Sequence, residues 1–322
     1  MARILVTGGA GYIGSFMVKR LLDEKFEVVV ADNLLRGHKE AVDQRAKLLV
    51  GDLNDENFIE SLFATVSFDA VVHFAGYISM GESMEKPDLY FQNNSFATFK
   101  LLDAVMKNKV PAFIFSSTAG VYGNPSQLPI PESHPTHPTN PYGESKLMIE
   151  QMLSWYHKIY GLSFAALRYF NAAGAAIDGS MGEAHDPETH IIPNAISALL
   201  SDKPFTLYGE DYNTSDGTCI RDYIHIHDLI EAHMLALKAL SQKKGGIYNV
   251  GTGTGHSNKE VLDMIKKVTG KELKVNVAKR RPGDADMLIA DPNRIQQELG
   301  FSCKHSDLQT IVESAWKWHS RS

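Results

Sequence analysis

The chain has 322 residues, enough to bury a sizeable core in one large domain or two. Its 32 basic and 38 acidic residues leave a net charge of −6, so there is no basic footprint for nucleic acid or an anionic membrane surface. Cys219 and Cys303 lie far apart in no spaced pattern, which predicts two reduced thiols in a cytoplasmic protein. No stretch approaches the ~20 apolar residues of a membrane span, and the chain starts with a predicted strand, which leaves no room for a signal peptide.

Short apolar runs alternate with helical patterns through the first half of the chain. Strands are predicted at 3–7, 27–31, 47–52, 70–76, 112–117 and 163–170, and helices at 12–24, 56–65, 88–108 and 142–160. Strict alternation of strands and helices is typical of a parallel sheet with helices on both faces. The fold class is therefore predicted to be α/β, with a Rossmann-type doubly wound parallel sheet.

After about residue 171 this alternation stops. Residues 174–190 are rich in glycine, histidine and acidic residues and are predicted to form a long loop, followed by helices near 192–200 and 228–240. The run "GIYNVG" resembles one more buried strand that returns to the first sheet. We predict a cofactor-binding domain at 1–171, rejoined by about 221–252, and a smaller interleaved substrate domain in 172–322.

The segment "TGGAGYIG" places Gly8, Gly11 and Gly14 between the first strand and the first helix. Glycines at this spacing permit a tight turn, a close approach to a pyrophosphate, and close packing of helix on sheet. Asp32 ends the second strand eighteen residues later, where a carboxylate accepts hydrogen bonds from a ribose and repels a 2′-phosphate. The pattern predicts NAD rather than NADP. Arg36 follows closely, and a solvated loop arginine is its expected role.

Tyr142 and Lys146 lie four residues apart at the head of a predicted helix, which places them on one face ~5–6 Å apart at Cβ. A lysine cation beside a phenol lowers the phenol pKa, so the pair is a candidate general base. The structural alternative is a half-buried tyrosine beside a lysine whose charge reaches solvent. Thr118 ends a predicted parallel strand, at the edge of the sheet where ligands bind, whereas Ser116 and Ser117 are expected to be turn or supporting groups.

Together these motifs resemble the extended short-chain dehydrogenase/reductase family. Further along, the chain resembles its UDP-glucose 4-epimerase branch, also called UDP-galactose 4-epimerase, over nearly its whole length. The motifs that carry this resemblance occur in the same order: "HFAGYISMGES", "NNSFAT", "FSSTAGVYG", "PYGESKLMIEQ", "LRYFNAAGA", "DGTCIRDYIHIHDL", "YNVGTG" and "RRPGDADML". The resemblance implies an isomerase that interconverts UDP-galactose and UDP-glucose with a retained NAD, and commonly a homodimer, for which the helices at 88–108 and 142–160 are candidates.

The resemblance also implies the site residues. Tyr142 matches the catalytic base that takes the proton of the sugar 4′-hydroxyl, Lys146 lowers its pKa and holds the nicotinamide ribose, and Thr118 assists with its hydroxyl. The implied cofactor contacts are the glycine turn with Tyr12 and Ile13, the run Asp32, Asn33, Leu34, Leu35, Arg36 and Gly37, the pair Asp52 and Leu53, the run Phe74, Ala75, Gly76, Tyr77 and Ile78, and Asn94, Thr118, Tyr142, Lys146 and Phe170.

The implied UDP-sugar contacts lie mainly in the second half of the chain. They are Thr118, Tyr142, Asn171, His190, Ile191, Thr206, Leu207, Tyr208, Arg221, Arg281, Pro282, Gly283, Asp284 and Leu288. Guanidinium groups suit the diphosphate oxygens, and Asp284 is expected to hold the uridine ribose. Leu288 matches the position that limits sugar size in the family and is intermediate in volume, so the acceptance of N-acetylated sugars stays open. His225 and His227 are interpreted as structural, and no metal site is predicted.

Four other functions share parts of this pattern. A nucleotide-sugar 4,6-dehydratase needs an added acid and base directly after the strand-end threonine, where this chain has Ala119 and Gly120. A UDP-glucuronate decarboxylase needs a cation for the sugar carboxylate, and none is clearly placed. A 4-epimerase of UDP-N-acetylated or pentose sugars stays an alternative, as does a non-catalytic NAD sensor, which has no need of Tyr142, Lys146 or a UDP pocket.

Overall fold

The computed structural model describes residues 2–64, 66–281 and 284–321, so the predicted contacts Pro282 and Gly283 lie outside the described residues. The chain divides into two compact units. The first unit consists of Met1–Val121, Pro138–Arg168 and Ile230–Tyr248, and the second of Tyr122–His137, Tyr169–Leu229 and Asn249–Ser322. Among the described residues, no helix combines the length and the apolar character needed to cross a membrane.

The strands are, in chain order, β1 (Arg3–Thr7), β2 (Glu27–Asp32), β3 (Lys47–Val50), β4 (Ala70–His73), β5 (Ala112–Thr118), β6 (Ser163–Tyr169), β7 (Asn171–Ala173), β8 (Phe205–Tyr208), β9 (Ile220–His225), β10 (Gly246–Val250), β11 (Gly255–Ser257), β12 (Val275–Ala278) and β13 (Met287–Leu288). The helices are α1 (Tyr12–Asp23), α2 (Glu56–Ala64), α3 (Met80–Glu85), α4 (Pro87–Tyr90), α5 (Ala97–Lys107), α6 (Pro141–Tyr160), α7 (Ile191–Leu200), α8 (Ile226–Ser241), α9 (Asn258–Thr269), α10 (Asn293–Leu299) and α11 (Leu308–His319).

The first unit is built on a seven-stranded sheet in the order β10-β6-β5-β4-β1-β2-β3. The pairs from β3 through β2, β1 and β4 to β5 are parallel. Strand order reverses beside β1, as in a doubly wound sheet. The predicted fold class is confirmed, and so is the return of the "GIYNVG" strand, since β10 pairs with β6.

The core of the first unit explains why its strands read as uninterrupted apolar runs. All seven residues of β5 are buried, and Phe113 and Phe115 pack with Leu101 and Val105 of α5 and with Leu153 of α6. Strands covered by helices on both faces have no polar side, so their sequences do not alternate.

The predicted helix at 88–108 differs from the structure in one respect. A π-helical stretch, Phe91–Phe96, separates α4 from α5. The wider turn carries Asn94, whose buried amide side chain bonds to backbone outside the helix. Short π-helical segments occur where a side chain must be displaced from the regular helical position, often at functional sites.

The second unit contains two smaller sheets. In one, β9 pairs in parallel with β7 and β13 and antiparallel with β11, and in the other β8 pairs in parallel with β12. A separate core joins α7, α9 and α11 through Ile196, Ile265 and Ile311.

Residues 122–137, which the sequence placed in the cofactor domain, lie in the second unit. Tyr122 Oη donates to Asn249 Oδ1 at 2.7 Å, and Ile130 forms backbone hydrogen bonds with Ile289 and Asp291. These long-range contacts connect the loop to elements that follow it by more than a hundred residues.

Candidate active site

The glycine turn of the first unit joins β1 to α1. Gly8 has a left-handed φ of +71°, and a Cβ there would lie 2.5 Å from the backbone nitrogen of Ala75. A Cβ on Gly14 would collide with the Gly8 carbonyl oxygen, so Gly14 allows α1 to pack closely on the turn. Gly11 is the N-cap of α1 and supplies no side-chain cap. The start of α1, with Tyr12 and Ile13, therefore presents backbone N–H groups and a helix dipole suited to a pyrophosphate.

Asp32 ends β2 beside this turn. Its carboxylate accepts hydrogen bonds from the backbone N–H of Ala10 at 3.0 Å and of Leu34 at 2.9 Å, and these bonds fix its orientation. Arg36 forms an ion pair with Glu82 at 3.2 Å and lies over the Tyr77 ring. Because Arg36 already has a carboxylate partner, it is poorly placed to neutralise a 2′-phosphate, and the residues present fit NAD.

The next predicted contacts lie at the ends of β3 and β4. Asp52 accepts hydrogen bonds from Asn33 and from the backbone and side chain of Asn54. Burial raises the pKa of the Asp52 carboxyl, but these hydrogen bonds outweigh it and the net shift is downward. Leu53 beside it is buried, whereas Leu35 and Ile78 are exposed apolar side chains of the kind that line an adenosine pocket.

Asn94 organises the loop after β4. Its Oδ1 accepts from the Tyr77 N–H at 2.8 Å, and its Nδ2 donates to the Tyr77 carbonyl at 3.0 Å and to Ser145 Oγ at 3.1 Å. Ser145 lies on α6 next to Lys146, so the Asn94 amide joins the loop that carries Phe74 to Ile78 to the helix that carries Tyr142. Gly76 faces Lys146, because a Cβ at that position would lie 3.3 Å from Nζ.

The local sequence explains why α6 starts directly before Tyr142, at Pro141. Asn140 is the N-cap, with its side chain accepting from the Gly143 N–H at 2.9 Å, and Pro141 occupies the first helical position, where no N–H is needed. Thr118 ends β5, and its hydroxyl lies close enough to the Tyr142 phenol to lower the pKa of that phenol. The structure therefore brings together the three residues predicted to be catalytic, since Lys146 Nζ lies 5.9 Å from the Tyr142 ring centre.

The pKa of Tyr142 differs from the expectation. Burial raises it above its ordinary value of 10.0, and the hydrogen bond with Thr118 offsets only part of that rise. The sequence predicted that Lys146 lowers this pKa. In the structure Lys146 is buried, its Nζ donates to the Ser116 carbonyl at 3.0 Å, and burial lowers its own pKa to about 8. A cation that is itself poorly solvated and bonded elsewhere does not overcome the cost of burying a phenolate.

Glu150 was not recognised from the sequence. It lies one turn beyond Lys146 on the face of α6 shared with Tyr142, and its carboxylate accepts from Ser117 Oγ and from the Arg168 guanidinium, each at 2.5 Å. The signal was present, since Tyr142, Lys146 and Glu150 are spaced by four residues. Ser117 and Arg168 lie on β5 and β6, so Glu150 anchors α6 to both strands.

The second unit carries the residues predicted to hold the UDP group. Arg221 lies on β9 and is largely buried. Arg281 Nε donates to Asp284 Oδ2 at 3.0 Å, and Tyr212 Oη donates to the same oxygen at 3.3 Å. Burial raises the pKa of the Cys219 thiol, and the nearby charges of Arg221 and Arg281 both oppose that rise. The two guanidinium groups therefore lie near the same thiol.

Other predicted contacts also belong to the second unit. Leu288 pairs with Arg221 in the β13–β9 register. Tyr208 of β8, which follows Thr206 and Leu207, lies under the Arg281 guanidinium, 5.5 Å from ring centre to Cζ. Phe170, between β6 and β7, is half-buried.

A pocket in the second unit contains two more of the predicted residues. Asn171 of β7 and His190, the N-cap of α7, line it together with Glu183, Tyr223 and His319. His190 Nδ1 contacts Glu183 Oε1, and this carboxylate, with Glu188, raises the pKa of His190 although burial opposes it. Ile191 begins α7 directly after His190.

His225 and His227, which the sequence analysis interprets as structural, lie at the junction of β9 and α8. Burial lowers the pKa of His225 to about 3, so its imidazole is neutral. Its Nδ1 accepts from the His227 N–H at 3.1 Å, and its Nε2 lies 3.2 Å from Ser314 Oγ.

The chain matches the model of the NAD dependent epimerase/dehydratase family over residues 4–251. It belongs to this family, as the resemblance predicted. It is 46% identical to a UDP-glucose 4-epimerase of Lactobacillus helveticus over 98% of this chain and 97% of that protein.

Two solved structures are similar over nearly their whole length. The UDP-glucose 4-epimerase of Brucella ovis in complex with NAD has a TM-score of 0.94 at 45% identity, covering 98% of each chain. That of Bifidobacterium longum in complex with NAD+ and UDP has a TM-score of 0.95 at 36% identity, covering 99% of this chain and 98% of the other.

Proposed function

We propose that the protein is a UDP-glucose 4-epimerase, an isomerase that interconverts UDP-galactose and UDP-glucose with a retained NAD. The observation that carries the proposal is the convergence of Thr118, at the carboxyl end of β5, with Tyr142 and Lys146 of α6, in a chain whose full-length relatives are UDP-glucose 4-epimerases. Acid–base chemistry at a sugar hydroxyl needs this phenol, and the epimerase relatives supply the substrate class.

Tyr142 removes the proton of the sugar 4′-hydroxyl, and Thr118 orients the phenol by its hydrogen bond. A bound NAD would supply the chemistry of hydride acceptance and return at C4. The sugar becomes a flat 4-ketose. Return of the proton from Tyr142, with reduction from the opposite face of the ketose, inverts C4 without net oxidation.

The chain's other residues bind and orient. The N-terminus of α1 holds the pyrophosphate of NAD, Asp32 its adenosine ribose, and Lys146 its nicotinamide ribose. Arg221 and Arg281 hold the UDP diphosphate and Asp284 the uridine ribose. In this arrangement the protein binds the UDP group tightly, and the sugar ring stays free to rotate and present its opposite face.

The proposal also covers assembly and location. Five apolar side chains on α5, α6 and the π-helical stretch before α5 are about half exposed or more, and we call them the α5–α6 apolar residues: Phe96, Phe99, Trp155, Ile159 and Tyr160. They are suited to a homodimer interface, because exposed apolar side chains on surface helices are typical of association sites. Cys219 and Cys303 are free thiols, which supports a cytoplasmic location.

A coupled assay tests the function. Purified protein is given UDP-galactose with no added nicotinamide cofactor, and formation of UDP-glucose is followed. Turnover supports both the reaction and a retained NAD. If turnover occurs only after NAD is added, the reaction is supported and only the retention of NAD by the purified protein is contradicted.

A second candidate is a 4-epimerase of N-acetylated or pentose UDP-sugars, favoured by the intermediate size of Leu288 beside Arg221. It predicts turnover of UDP-N-acetylgalactosamine or UDP-xylose. Failure with every UDP-sugar, in protein shown to bind NAD, leaves the NAD sensor as the remaining alternative.

A further inference from the structure

The loop between β7 and α7 contains four side chains with metal-ligating atoms that converge on one point. They are Glu183, His185, Glu188 and His190, here called the 183–190 cluster, and one ligand atom from each lies within 4.8 Å of all the others. The four residues fall within eight positions of the sequence. All of them belong to the second unit.

The separations suit a tetrahedral ion. His185 Nδ1 lies 2.8 Å from Glu183 Oε1 and 3.8 Å from Glu188 Oε1, and His190 Nδ1 lies 3.9 Å from Glu188 Oε1 and contacts Glu183 Oε1. Zinc bonds of ~2.0–2.2 Å in tetrahedral geometry separate neighbouring ligand atoms by roughly 3.4 Å. Both separations at Glu183 Oε1 are shorter than this value and both at Glu188 Oε1 are longer, so binding of an ion requires the two imidazoles to move away from Glu183 and towards Glu188.

Each group of the cluster has two oppositely charged neighbours, whereas a simple histidine–carboxylate ion pair has one. A single Nδ1–H group donates well to one acceptor, yet in the cluster each Nδ1 faces two carboxylates, and Oε1 of each carboxylate faces two imidazoles. A simple pair elsewhere in this unit shows the difference. His256 Nδ1 lies 3.8 Å from Glu260 Oε2, and His256 is not among the grouped ligands.

The surrounding structure holds the carboxylates in place. Glu183 is only 3% exposed, and its carbonyl accepts from Trp318 Nε1 at 2.9 Å. Glu188 Oε1 accepts from the backbone N–H groups of Thr189 at 2.7 Å and His190 at 2.9 Å. Supporting hydrogen bonds of this kind orient metal ligands before the ion arrives.

We propose that the 183–190 cluster binds one zinc ion per chain. Two imidazoles and two carboxylates offer two nitrogen and two oxygen donors to one divalent cation. Mixed nitrogen and oxygen donors favour zinc over magnesium and calcium, which take oxygen ligands. The inference departs from the sequence prediction that the chain has no metal site.

The ion has a structural role in this proposal. It joins the loop to the start of α7 through His190 and to the buried Glu183, and so stabilises one wall of the pocket that contains Asn171. Zinc binding at this cluster is measured as bound metal, independently of turnover of a UDP-sugar.

The test uses the untagged full-length chain, cleared of metal with a chelator and dialysed against zinc chloride. We expect one zinc per chain, a higher melting temperature with zinc than with the same concentration of magnesium, and an affinity lowered at least about 10-fold in His185→Gln. His256→Gln, which alters the isolated pair, keeps the wild-type affinity.

Circular dichroism establishes that each variant is folded. If His185→Gln does not fold, Glu188→Gln replaces it as the cluster variant. Absence of stoichiometric zinc in the folded wild-type protein overturns the proposal. Equal zinc affinity in the wild type and in a folded cluster variant overturns it as well, since the ion would then be bound elsewhere.

Discussion

Glu150 and Arg168 form an ion pair in which the side chains are only 2% and 4% exposed, with 2.5 Å between carboxylate oxygen and guanidinium nitrogen. The pair lies between α6 and β6, one helical turn from Lys146. Ser117 Oγ of β5 donates to the same carboxylate. The helix that carries Tyr142 is thus fastened to two strands by groups that take no part in the proposed reaction.

Removing one partner of this pair is expected to be strongly destabilising. Arg168→Met leaves the buried Glu150 carboxylate without its counter-charge and should lower the free energy of unfolding by about 3–5 kcal/mol. The double variant Glu150→Leu with Arg168→Met removes both charges and should recover most of that loss. Urea unfolding of the wild type and these two variants measures both quantities. A double variant no more stable than Arg168→Met contradicts the assignment.

Tyr142→Phe removes the proposed general base. We expect turnover of UDP-galactose to fall by ~10² or more, while UDP binding changes little, because a positioned base acts on the chemical step. Tyr156→Phe removes a phenol hydroxyl from the same helix outside the site and should keep wild-type turnover. The measurements are steady-state kinetics and calorimetric titration with UDP. Unchanged turnover in Tyr142→Phe excludes Tyr142 as the base.

Thr118 sets the pH dependence through its hydrogen bond with Tyr142, which lowers a phenol pKa that burial raises. Thr118→Val removes this bond, so the pKa rises further and a smaller fraction of phenolate is present at neutral pH. We expect lower activity and a pH–rate profile displaced to higher pH. Thr118→Ser keeps the hydroxyl and should keep the wild-type profile. A profile that is the same in Thr118→Val and the wild type contradicts the role.

Lys146 makes stability depend on pH. Its pKa is about 8 in the folded chain and 10.5 ordinarily, so between these pH values the unfolded chain binds the extra proton. Stability of the wild type therefore rises with pH through this window, relative to Lys146→Met, by up to about 3 kcal/mol. Urea unfolding of cofactor-free protein at pH 7.5 and pH 10 gives the difference. If the free energies of unfolding of the wild type and Lys146→Met differ by the same amount at both pH values, Lys146 has an ordinary pKa in the folded chain.

The α5–α6 apolar residues predict the assembly state. A charge at Phe99 or Trp155, which are 49% and 59% exposed, should convert a dimer to monomers because a carboxylate at an apolar interface loses its solvation. Val277, 54% exposed on β12, offers a matched control, and Val277→Glu should leave the dimer intact. Light scattering after gel filtration measures the mass. Wild-type protein that elutes as a monomer removes the interface proposal.

Much of the first unit followed from local sequence. The strands, the glycine turn and Asp32 were predicted because buried parallel strands and tight turns need particular residues at adjacent positions. Tyr142 and Lys146 were predicted to share a face because four residues make about one helical turn. Strands, turns and helical spacing depend on residues that are close together in the chain, so the sequence alone predicts them.

Only the tertiary structure decided the remaining features, because they depend on groups far apart in the chain. The pKa of Tyr142 rises through burial, which no local pattern reveals, and the π-helical turn places Asn94 for bonds to Tyr77. Arg168 meets Glu150 across two elements, and residues 122–137 join the second unit through Asn249. The convergence of the 183–190 cluster arises from loop backbone geometry, which hydrophobic periodicity does not encode.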